Sequence, residues 1–219
     1  MKVNLVSVTQ SANLHSLTPE QLIVYIARVS NPSNQTNIQS ADRLIHYLIQ
    51  NKHWSPFEMV DMTVEIVTSR AIAQQILRHR SFCFQEFSQR YAKVDSDAHE
   101  PIEWRKTGTT NRQSSSDIVD ISQEPFATFH QRMETLQQDM SKLYDDLVQA
   151  GVAKETARFG LPLCTQTRLY MKGSVRSWIH YLQVRLDDHT QKEHQQIAQA
   201  IVSIFKQHFP FISSILFLP

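Results

Sequence analysis

"QQILRHRSFCFQEFSQRYAKV" (Gln74–Val94) changes period halfway along, and that change decides the fold class. Its first half continues the helical pattern of "SRAIAQQILRHR" (69–80), which Ser69 is placed to cap. From Phe82 the period drops to two. Phe82, Phe84, Glu86, Ser88 and Arg90 would then share one face of an extended chain. The same stretch is chemically mixed: Arg78, His79, Arg80 and Arg90 sit among Phe82, Phe84 and Phe87. A solvated face does not need so many aromatics, and a packed core does not tolerate so many unpaired guanidiniums. Aromatic walls around guanidiniums suit a flat, charged ligand.

Upstream, "VNLVSV" (3–8) alternates like a short strand. "TPEQLIVYIARVS" opens a helix with Thr18 as N-cap and Pro19 in the first helical position, and "SADRLIHYLIQN" (40–51) reads as a second helix. "FEMVDMTVEIVTS" (57–69) reads as a long strand, with Val60, Met62, Val64 and Ile66 on one face. Downstream, 95–120 is polar and turn-rich, a loop long enough to suggest a function. A long helix follows over 124–151, its apolar stripe running through Phe126, Phe129, Met133, Leu136, Met140, Leu143 and Leu147 to a stop at Gly151. A short helix (153–162), a strand (163–173) and helices over 174–186 and 191–209 complete the chain. With neither repeat nor linker, one α+β domain over 1–219 is the economical reading.

Composition narrows the function. The net charge of +1 argues against a general design for nucleic acid or anionic membrane. Two cysteines far apart, Cys83 and Cys164, form neither a disulfide framework nor a thiolate zinc site, which points to a reducing, cytoplasmic setting. The apolar end "FPFISSILFLP" is too short to span a bilayer and reads as a tail packed on the body or on another subunit. The four glycines (108, 151, 160, 173) match no G-x-G-x-x-G turn or P-loop, so a bound nucleotide would be held by side chains. Arginine suits that task, because its fork matches phosphate oxygens two at a time.

Four constellations stand out, each with a plain alternative. Gln75, Arg78 and His79 are helical neighbours, followed by Glu86, Ser88 and Arg90; a surface ion pair of Glu86 with Arg90 is the bland reading. Arg158, Arg168, Arg176, His180 and Arg185 form a second group, or else helix-surface cations; Arg185 lies half a turn from Arg176 and His180. "HWSPFE" supplies His53, Ser55 and Glu58, which alone would be an ordinary loop. "DDHTQKEHQQ" misses the H-x-x-E-H metal spacing by one residue, so no metal is expected, and His189 with Glu193 fits a hydrogen-bonded pair at a helix start. Cys83 falls on the face opposite Glu86 and reads as a packing residue.

"RHRSFCFQEFS" (78–88), continued by Arg90 and Tyr91, resembles the signature of the flavin-dependent thymidylate synthases. "ARVS" (27–30), "HWSPFE" (53–58), "EWRK…NRQSS" (103–115), "ARFGLPL" (157–163) and "VRSWIHYLQVRLDDHTQKEHQQIA" (175–198) look like further blocks of that family, in order. The resemblance implies a mostly antiparallel sheet flanked by helices, and a homotetramer with active sites at subunit interfaces. It implies reductive methylation of dUMP to dTMP, with methylenetetrahydrofolate as one-carbon donor, NADPH as reductant and FAD relaying the hydride. It further implies that Gln75, Arg78, Glu86, Ser88, Gln89, Arg90, Arg158 and Arg185 hold dUMP, with Arg185 catalytic at the uracil ring. His53, Ser55, Arg78, His79, Arg80, Glu86, Ser174, Arg176 and His180 would hold FAD. Ser174 stands where some members have Asn, Cys83 where Ser is common and Gln85 where Asn is common. A nucleotide- or nucleic-acid-binding module without chemistry is the rival reading, against which the small net charge weighs.

Overall fold

A computed structural model describes residues 1–109 and 115–217. In chain order the elements are β1 (Lys2–Val8), α1 (Pro19–Ala27), α2 (Ala41–Gln50), β2 (Asp61–Ser69), α3 (Arg70–Ile76), β3 (Cys83–Glu86), β4 (Arg105–Thr107), β5 (Ser115–Ile118), α4 (Phe126–Gln149), α5 (Lys154–Ala157), β6 (Gln166–Ser174), α6 (Val175–Arg185), α7 (Lys192–His208) and α8 (Pro210–Leu216). The main sheet is antiparallel throughout, in the order β1-β2-β6-β3, so the α+β expectation holds. One face of the sheet is dry. Met62, Val64 and Ile66 of β2 and Leu169 and Met171 of β6 pack with Ile23, Ile45, Trp178, Ile201, Phe205 and Ile212 from the helices. The other face keeps Glu65, Arg168 and Lys172 toward water, the pattern of an antiparallel sheet covered on one side.

Local chemistry sets the boundaries. Thr18 accepts from the Gln21 amide while Gln21 bonds back, a capping box. Ser69 and Ser174 each cap a helix that begins where a strand of the central pair ends. These two strand-to-helix corners place α3 and α6 side by side with β2 and β6, and both carry site residues. At the far end the buried Glu20 accepts from the amides of Phe211 (3.3 Å) and Ile212 (2.7 Å), occupying donors that the first turn of α8 leaves free. Burial still raises the Glu20 pKa, outweighing those two bonds.

Several expectations need correction. The strand expected over 57–69 begins at Asp61, because residues Ser55–Met59, with Pro56 in the first turn, form a 3-10 turn. The helix expected to reach residue 80 ends at Ile76. The extended face ends at Glu86: the Phe87 amide makes a last bond to the Arg168 carbonyl, and Ser88 then turns back to Tyr91 and Ala92. Further along, the same edge of β6 is taken by residues 98–100, where Ala98 accepts from Gln166 and His99 bridges to Thr165. Glu86, Ser88 and Arg90 therefore do not line one strand face. The loop expected over 95–120 contains the hairpin β4–β5; residues 110–114, including most of "NRQSS", lie outside the described residues. The apolar tail, by contrast, packs on the body, one of the two placements expected: α8 ends at Leu216 and Ile212 is buried. Cys83 is an exposed thiol rather than a packing residue, although it does lie opposite Glu86.

Candidate functional site

Arg185 is the last residue of α6, and its Nε donates to Nε2 of His79 at 2.9 Å. A guanidinium only donates, so this nitrogen of His79 carries the lone pair and the ring is neutral with its proton on Nδ1. Burial, then the nearby Arg185 and His180, hold the His79 pKa down to about 4. The imidazole stands edge-on to Tyr181, with ring centroids 4.8 Å apart. Beneath it Tyr181 meets the buried His194 (Oη to Nε2, 3.0 Å), and His194 Nδ1 lies 3.4 Å from Gln75 Oε1. Burial above all, with the Arg185 guanidinium and the His79 ring nearby, pushes the His194 pKa down to about 3. Gln75 Nε2 in turn donates to Gln191 at 2.6 Å. Three sequence-predicted residues (Gln75, His79 and Arg185) thus meet around a network that also needs Tyr181, His194 and Gln191.

A second group converges on Glu58. Arg176 donates to its Oε1 at 2.9 Å and Ser174 Oγ to its Oε2 at 2.5 Å. A cleft of about 610 Å³ opens here, lined by Trp54, Glu58, Ser81, Arg176, His180 and Gln183 among others. Its wall combines an indole with an exposed guanidinium, an imidazole and hydroxyls, a donor set that fits a ring-bearing diphosphate. His53 and Ser55 lie exposed on the adjoining segment; the His53 amide bonds the Leu48 carbonyl at 2.8 Å and its ring meets Tyr47 edge-on.

The third group lies around β3 and the turn after it. Glu86 accepts from Arg70 and from Thr167 Oγ1 (2.9 Å), all within the chain. Arg90 bonds Glu155 through Nε (3.2 Å) and Nη2 (3.0 Å), and Arg158 Nε donates to the Glu155 carbonyl at 3.2 Å. The plain alternative, a Glu86–Arg90 ion pair, does not form: Glu86 binds Arg70 and Thr167, and Arg90 binds Glu155. Ser88 is exposed and Gln89 buried. Arg78 and Arg80 are exposed and make no side-chain hydrogen bond among the described residues. His189 pairs with Asp187 at 2.7 Å rather than with Glu193, which binds Arg105 at 2.6 Å.

Sequence reasoning missed Tyr181, and weighed His194 only as part of the near-miss metal spacing. Helical spacing could have found the second: 194 is in step with Ile197, Ile201 and Phe205, so a histidine there falls on the buried stripe. Nothing local marked Arg70 or Glu155, whose side-chain partners Glu86 and Arg90 are distant in sequence, nor the bond from Gln191 to Gln75.

A family model described as "Thymidylate synthase complementing protein" matches residues 13–211. The "Flavin-dependent thymidylate synthase" of Synechocystis sp. is 52% identical over 200 residues, covering 91% of this chain and 90% of its own. The "Probable flavin-dependent thymidylate synthase" of Paramecium bursaria Chlorella virus 1 is 46% identical over 216 residues, 99% of each. In architecture the chain resembles the UMP/dUMP methylase PolB from Streptomyces cacaoi, solved with 5-Br dUMP. The TM-score is 0.81 at 24% identity, covering 97% of this chain and 93% of that one.

Proposed function

The chain belongs to the flavin-dependent thymidylate synthase family, and from that premise we propose that it converts dUMP to dTMP by reductive methylation. The one-carbon donor is methylenetetrahydrofolate, the reductant NADPH, the resident cofactor FAD, and the folate leaves as tetrahydrofolate. The working unit is a homotetramer, each site completed by neighbouring chains. The observation that carries this reading is Arg185 held by the neutral His79, with Gln75 alongside.

Each residue group has a task in this reading. FAD, when bound, supplies the hydride. The cleft beside Trp54 would hold it through Arg176 and His180. Ser174, whose hydroxyl sits behind Glu58, and His53, Ser55, Arg78, His79, Arg80 and Glu86 would contribute across the assembled site. Arg90, Ser88, Gln89 and Arg158 would take the dUMP phosphate end. The Arg90–Glu155 pair is exposed, and such pairs contribute only about 0–1 kcal/mol, so a phosphate displaces Glu155 at little cost. Arg185 faces the uracil ring. C5 of uracil must become nucleophilic, and the ring carries negative charge as it attacks. A fixed guanidinium stabilises that charge where water is excluded. Because His79 accepts from Nε, the remaining guanidinium N–H groups stay available to the ring. No enzyme thiol is required, in keeping with the exposed Cys83 lying across the strand from Glu86.

Purified protein with FAD should be yellow and turn over dUMP when given NADPH and methylenetetrahydrofolate. The Arg185→Ala variant should keep its flavin absorbance and lose about 10²–10³-fold in kcat, the usual cost of one such donor. A folded protein that neither carries nor takes up FAD would overturn the reading.

A further inference from the structure

His194 is fully buried on a helix face that is otherwise apolar. A buried imidazole is tolerated when both nitrogens have partners, and here they do: Tyr181 at Nε2 and Gln75 at Nδ1. Amides and imidazoles can each be turned around, so distances alone leave the direction of these bonds open. A carboxylate settles it. Glu193 is anchored by Arg105 Nη2 at 2.6 Å, and its other oxygen lies 2.9 Å from Gln191 Nε2. A carboxylate so anchored accepts, so Gln191 gives it an N–H and turns Oε1 toward Gln75. Gln75 must then donate to Gln191 and turn its own Oε1 toward His194. His194 donates from Nδ1, which leaves Nε2 to accept from the Tyr181 hydroxyl. The chain runs one way, from Tyr181 through His194, Gln75 and Gln191 to Glu193.

We propose that His194 is a positioning residue that fixes the Gln75 amide in one sense, oxygen inward, so that Gln75 presents an N–H to an acceptor oxygen of the bound nucleotide. With its oxygen committed to His194 and one N–H to Gln191, the second N–H is the group left to donate. The inference rests on the reading of Gln75 as a dUMP contact.

Two substitutions separate the two sides of the ring. His194→Asn puts an amide nitrogen near the place of Nδ1 and keeps the bond to Gln75. His194→Gln puts an amide oxygen near the place of Nε2 and keeps the bond to Tyr181 only. In the flavin-loaded enzyme, calorimetric dUMP titration and steady-state KM should show affinity about fivefold weaker for His194→Gln, the size of one neutral hydrogen bond, with kcat at saturation retained. His194→Asn should stay within about twofold of the parent, well short of that loss. Parent-like affinity in His194→Gln overturns the inference, as does equal weakening in both variants, which marks a merely structural role. Where neither variant folds, Gln191→Ala decides, because Gln191 is exposed and holds the other side of the amide. An unchanged KM there overturns the inference, and a rise of about fivefold with kcat kept supports it. A parent protein that binds no dUMP overturns the underlying reading of Gln75 instead.

Discussion

At the scale of single residues, two histidines are held neutral for different reasons. His79 is half-buried beside Arg185, whereas His194 is sealed in the core under Tyr181. Their pKa values fall from 6.5 to about 4 and about 3. An unfolded chain therefore binds these protons at a higher pH than the folded one does. Stability is fully present above the unfolded value of 6.5 and declines as pH falls, down to about 4 for His79 and about 3 for His194. The slope per group is at most about 1.4 kcal/mol per pH unit, and His194 contributes the larger share because solvent screens the half-exposed His79. Glu20, with its raised pKa, works in the opposite sense and is common to any comparison at position 194. Thermal melts of the parent between pH 7 and pH 5 should therefore fall more steeply than those of His194→Leu. Equal slopes in the two proteins would mean that His194 is not the buried neutral group described here. The sequence held the signal for His194 in its helical spacing but none for its partners, since Tyr181 and Gln75 reach it only once α3, α6 and α7 have packed.

Element by element, the strand-to-helix corners are where fold and site meet. The period-two faces of β2 were readable because helices cover one side of an antiparallel sheet and force the alternation. The two serine caps were readable because each starts a helical run. The hairpin β4–β5 was not, since strands this short carry no measurable period. The early end of β3 was hidden too, because it depends on residues 98–100 taking the edge of β6. Gly173, at the end of β6, was noted only for failing to form a nucleotide motif, yet its packing role is specific. A Cβ added there would land on the ring of Phe82, which is itself packed edge-on against Trp178 with centroids 4.7 Å apart. Gly173→Ala must therefore displace Phe82 from between β6 and α6. Overpacking of this kind costs about 1–3 kcal/mol, a fall in Tm of roughly 2–12 °C at this chain length. Differential scanning calorimetry checks it, and an unchanged Tm would show that the corner relaxes freely.

For the whole molecule, α4 raises the question of what covers it. The apolar stripe of this helix leaves Phe129 45%, Met133 37%, Leu136 52% and Leu143 50% exposed, while Ser141 and Tyr144 are the buried residues. Amphipathic spacing states that a helix has an apolar side; it does not state which chain covers that side. Tyr91 and Phe159, sequence neighbours of Arg90 and Arg158, are 87% and 83% exposed as well. A row of large apolar side chains left open on one chain is what a permanent association between copies requires. The proposed tetramer would give α4 a partner and would bring the separated guanidinium groups into shared sites. Leu136→Glu puts a carboxylate in the middle of the stripe without touching the buried core of its own chain. Light scattering should then show a mass falling from four copies toward the 25.4 kDa of one. Flavin should be lost in parallel, because a site shared between chains cannot hold its cofactor once they part. Retention of both mass and colour would place the contact elsewhere. Loss of mass with colour retained would mean that a single chain holds FAD alone, through the cleft beside Trp54 and Arg176.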